Sequence, residues 1–169
     1  MNTSAQKGNH DILTTLERFG EEVTICILLL LFAFLIYHQA ANTGFFTAKF
    51  ESLEMLCLYA PLILGITAPA VRAWTGRHNP GRPFEAATSA LLAAGSLWLL
   101  IIFPFSFPHL ADALPVAVRF ILAWVTDDIG KIILLLQIII GPITAIFTTW
   151  KFLIVWSQEQ ERYLTRHMS

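Results

Sequence analysis

Few side chains in this chain could do chemistry, and the sharpest pair is His38 and His109. His38 closes the first long apolar run. His109 follows the third, after Phe103-Pro104-Phe105-Ser106-Phe107-Pro108. At matching membrane depth, two imidazoles could ligate a b-type haem or a transition metal. Two separate interfacial histidines with no cofactor fit the same pattern. The second constellation is Gln137, Gly141, Thr144 and Thr148, at i, i+4, i+7 and i+11 of the last apolar run. These share one helix face. Such a stripe suits helix–helix hydrogen bonding or a polar substrate path.

No Cys-x-x-Cys, His-Glu-x-x-His, Gly-x-Ser-x-Gly or phosphate-binding glycine loop occurs, so no enzymatic activity is expected. His78 and His167 have no partner at metal-ligand spacing. Glu54 and Glu85 sit at span ends, and no charge lies mid-span. That argues against a proton pump or carboxylate-coupled transporter formed by this chain alone.

The elements that position these residues are membrane helices. The 169 residues are 56% hydrophobic and 14% charged, against about 25% charged in a soluble domain. The excess apolar surface must face lipid. The net charge of −1 offers no basic patch for nucleic acid. Four spans stand out, at about 23–41, 54–71, 84–105 and 132–156, in a single domain over 1–169. Residues 132–150 carry no charge at all.

Four spans put both termini on one side. That side then holds Lys7, Arg18, Arg72, Arg77, Arg82, Lys151, Arg162 and Arg166, leaving Lys49, Arg119 and Lys131 opposite. The bias makes both termini cytoplasmic, and Trp74, Trp150 and Trp156 suit headgroup positions on the same side. The first run follows Lys7 and Arg18 against Asp11, Glu17, Glu21 and Glu22. It therefore lacks the positive leader of a removable signal peptide. Cys26 and Cys57 fall at opposite depths, so both read as packing residues rather than a disulfide. The predicted fold is an all-α integral membrane protein, a bundle of four antiparallel spans with N-in/C-in topology. The absence of transit-peptide character favours a prokaryotic cytoplasmic membrane.

Two flanking segments have amphipathic character. Residues 11–23 place Ile12, Leu16, Phe19 and Val23 on one face, as a short surface helix or as an extension of the first span. Residues 112–126 are too short to span. They read as an interfacial or re-entrant helix in the last extracytoplasmic loop, with Asp112 at its cap and Asp127 or Asp128 capping the next span. Arg72, Arg77 and Arg82, in a turn-rich loop, could contact anionic headgroups or simply set topology. Phe45, Phe46 and Phe50 read as a partner-docking surface or an interfacial belt.

Packing should use small-residue faces. Ala86, Ser89, Ala93 and Ser96 form one such face. Cys57, Pro61, Gly65 and Ala68 form another. The first span has little of this kind and should be the most lipid-exposed. Three functions remain open. One is a non-catalytic small subunit of a larger membrane complex or homo-oligomer. Another is a transport component using the Gln137 stripe. The third is a haem- or metal-binding redox anchor using His38 and His109. The plan of a short surface helix, four spans and an interfacial helix resembles the small membrane subunit of TRAP-type transporters. That resemblance is one of architecture, without a matching sequence motif, and it goes with the transport reading.

Overall fold

The computed structural model describes residues 11–167, apart from the side chains of Glu159, Arg162, Thr165, Arg166 and His167. Lys7 and the side chains of Arg162 and Arg166, part of the charge bias, lie outside what is described. Four helices are long and apolar enough to cross a membrane. They are α1 (Thr15–Ala40), α2 (Ser52–Thr75), α3 (Arg82–Ile102) and α4 (Asp127–His167), and no strand occurs among the described residues.

Helix α1 is continuous from Thr15, so the segment before residue 23 extends the first span. Its start is fixed by a capping box. Thr14 N–H donates to Glu17 Oε2 at 2.7 Å, and Glu17 N–H donates to Thr14 Oγ1 at 3.3 Å. Its 26 residues reach about 39 Å, so the charged first turns project beyond a core of about 30 Å. Helix α2 ends at Gly76, whose φ of +66° makes the left-handed cap that other residues adopt at a cost. Helix α3 stops at Ile102, short of the expected 105. Phe103 takes φ +44°, and Pro104 cannot continue the ladder. Helix α4 has 41 residues, about 60 Å, twice what a span needs.

Each spanning helix packs on its neighbours in sequence, α1 on α2, α2 on α3 and α3 on α4, and other pairs of spanning helices touch at most marginally. The result is an open layer rather than a bundle closed on itself. Helix α1 stands at one edge, and only 6% of its most apolar stretch is buried, against 22% in α2.

The two ends of the layer are stitched differently. At the arginine-bearing end, the strand-like segment before α1 pairs with the α2–α3 turn. Leu13 N–H donates to Gly76 O and His78 N–H to Asp11 O, each at 2.9 Å. Asp11 also accepts from Asn79 N–H at 2.8 Å and pairs with Arg77 at 2.9 Å. At the opposite, phenylalanine-rich end, Ser106 N–H donates to Phe45 O at 2.7 Å and Thr47 N–H to Pro104 O at 3.0 Å. Phe45 is buried and its ring contacts those of Phe46, Phe105 and Phe107, while Phe46 stacks on Phe50 at 4.0 Å. Phe45 is thus turned into a core with Phe105, while Phe46 and Phe50 pack beside it half-buried.

The expected helix over 112–126 is replaced by two short 3-10 segments, Phe107–Ala113 and Val116–Ile121. Pro115 explains the break: it disfavours helical backbone at Leu114, which is extended at φ −95°, ψ 149°. Asp112 lies inside the first segment instead of capping a helix. Asp127 and Asp128 do open α4, and Asp127 Oδ1 accepts from Phe107 N–H at 2.8 Å.

Candidate functional site

The polar stripe of α4 faces α3. Ser96, buried to 2% exposure, donates from Oγ to Gln137 Oε1 at 2.6 Å. One turn on, Gly141 permits close approach. A Cβ there would lie 2.7 Å from Ser89 O and 2.8 Å from Ala93 Cβ. Gln137 thus bridges two helices, as an amide in lipid must find a partner. Thr148 is buried further along the same seam. Ser89, Ala93 and Ser96 therefore meet the stripe, with Ala86 half-buried on the same helix.

The face of α2 divides between its neighbours. A Cβ on Gly95 would lie 2.6 Å from Cys57 O. Pro61 denies that carbonyl its helical donor, and the bare glycine lets α3 press against it, where a Cα–H can offer a weak bond. Gly65 sits near Thr88 of α3 and Leu28 of α1, and Ala68 O abuts Gly81. Cys26 and Cys57 are both free thiols.

Thr144 and Thr148 open onto a cavity of about 370 Å³ at the arginine-bearing end, which Arg72, Arg82, Glu85 and Lys151 also line. Arg72 is neutralised twice, by Glu21 at 2.7 Å and Glu85 at 2.7 Å, and so ties α1, α2 and α3 together. Arg82 has only neutral acceptors, Asn79 Oδ1 at 3.0 Å and Lys151 O at 3.3 Å. The Lys151 ammonium lies 4.2 Å over the Phe147 ring. Of the three arginines expected in the loop, Arg72 lies in the last turn of α2 and Arg82 opens α3. Arg72 and Arg77 are paired with carboxylates, while Arg82 meets only neutral acceptors. Glu21 is the participant that sequence reasoning missed, and its charge, complementary to Arg72 at equal depth, was the available signal. Lys151 entered that reasoning only as a topology-setting charge.

His38 is fully buried at the opposite end, with 1% exposure. Its Nδ1 meets Thr43 Oγ1, and its Nε2 lies 3.1 Å from Leu110 O. Nε2 must therefore carry the proton for the carbonyl, and Nδ1 accepts from the hydroxyl. Ligation of haem or metal would break one of these bonds. His109 instead hydrogen-bonds Asp112 at 2.9 Å, and Asp112 also pairs with Arg119 at 3.3 Å. The His109 hydrogen bond and the nearby guanidinium hold the Asp112 carboxyl below its ordinary pKa. Among the described residues, no group of three or more His, Cys, Asp or Glu is placed to share a metal ion.

No protein-family model, curated protein or solved structure matches this chain.

Proposed function

We propose that this chain is a non-catalytic small subunit of a membrane complex, assembled with other membrane proteins or with copies of itself. In this reading its four spans run antiparallel. Both termini face the cytoplasm of a prokaryote, and the 107–126 segment lies in the outer interface, where Val116, Phe120 and Trp124 are exposed. The open layer carries the reading. The small residues and the Ser96–Gln137 bond are spent on seams within the chain, leaving two broad apolar faces without a helix of their own to cover them. Helix α4 also continues well beyond any membrane core, offering a helical arm to a partner. Cross-linking and native mass spectrometry in mild detergent should find an assembly larger than one chain. A monomer at every protein concentration, with no co-purifying subunit, would refute it.

A transport role is the second reading. Its support is that Thr144 and Thr148 of the stripe meet the cationic cavity. Gln137→Leu should then reduce flux while assembly stays intact; unchanged flux would count against it.

A further inference from the structure

We propose that Arg82 and Lys151 form a phosphate-binding pair that seats the headgroup of an anionic phospholipid at the end of the α3–α4 seam. Among the described residues, five cations lie near this end: Arg18, which reaches Gly76, and Arg72, Arg77, Arg82 and Lys151. Carboxylates neutralise Arg72 and Arg77 at 2.7–2.9 Å. Among the described residues, neither Arg82 nor Lys151 has a carboxylate partner. They come from facing helices and line the same cavity of about 370 Å³.

Arg82 is held in place by the Asn79 amide and the Lys151 carbonyl. A guanidinium has five N–H donors, so this anchoring uses only part of it. Phosphate oxygens suit the remaining donors, and the ammonium adds a point charge. The Thr144 hydroxyl, on the cavity wall, is a further donor within the same space. The source of the phosphate follows from the rest of the wall. Ile143 is 63% exposed and Phe147 50% exposed, both on the flank of α4 that continues into the spanning region. An acyl chain would lie along them, whereas a free phosphate ion would gain nothing there. The site does not depend on which partner covers the layer.

The test uses the full chain in mild detergent, with native mass spectrometry of retained phosphatidylglycerol against phosphatidylcholine. The wild type should retain phosphatidylglycerol selectively. Lys151→Gln should weaken that retention about fivefold, and the Arg82→Gln/Lys151→Gln pair about thirtyfold. Arg119→Gln, at the other end, should leave it unchanged. Lys151→Gln removes no backbone contact, so its effect is readable even if the double variant unfolds. Equal retention by Lys151→Gln and wild type overturns the proposal. Displacement of phosphatidylglycerol by inorganic phosphate alone overturns the lipid source in favour of the free ion.

Discussion

Substituting Gly95 by alanine tests the α2–α3 seam most directly. The added Cβ would lie 2.6 Å from Cys57 O. An ordinary carbon–oxygen contact is about 3.3 Å, so the two backbones must part by roughly 0.7 Å. Neither can yield cheaply. The obstructing atom is main chain, and the helices are pinned on both sides of it. Trp98 Nε1 donates to Glu54 at 2.9 Å at one end, and Arg72 holds Glu85 at 2.7 Å at the other. Overpacking of this kind costs about 1–3 kcal/mol. Part of that is offset by the better helix propensity of alanine, up to about 1 kcal/mol. Gly20 supplies the control, because a Cβ there meets nothing within 4 Å and Gly20→Ala should only gain that propensity. The two variants should therefore differ by about 2 kcal/mol, or roughly 4–8 °C in Tm for a chain of this size. Thermal unfolding followed by circular dichroism in a mild detergent measures the difference. If Gly95→Ala melts together with Gly20→Ala, the close approach at this seam is wrong.

Arg72→Gln should destabilise by about 2 kcal/mol, since it leaves Glu21 and Glu85 facing one another without their shared cation. Adding Glu21→Gln should recover part of the loss in the same melting assay, and no recovery would deny the triad. Gln137→Leu should cost only about 0.6 kcal/mol, the ordinary worth of one interhelical hydrogen bond in a membrane protein. A much larger loss by denaturant titration would mean that Gln137 holds more than Ser96. The Asp112 carboxyl has its folded pKa lowered, so its contribution is fully present above its unfolded value of about 3.9 and is lost as pH falls through the folded value. Hydrogen exchange of the 107–121 backbone, corrected for intrinsic rates, should rise below that range in the wild type. Asp112→Asn should abolish the step, and a step that persists would put its origin elsewhere. Purified protein should have no Soret band, because both ring nitrogens of His38 are engaged by Thr43 and Leu110. A Soret band lost in His38→Ala would reverse that conclusion.

The four spans, their order and their approximate limits were legible in the sequence, because hydropathy and helical spacing are local properties. The common face of Gln137, Gly141, Thr144 and Thr148 was legible for the same reason. So was the exposed character of α1, which offers no small-residue stripe for a neighbour to pack on. Tertiary structure decided which face meets which. It laid the helices out as an open layer, turned Phe45 inward onto Phe105, and committed His38 to Thr43 and Leu110 rather than to His109. It also separated Arg72 and Arg77, matched with carboxylates, from Arg82, which meets Lys151 across a helix seam. None of these pairings is encoded by spacing along the chain. Each depends on the depth and rotation at which two distant segments pack, and that is fixed by close contacts such as Gly95 against Cys57 and Gly141 against Ala93.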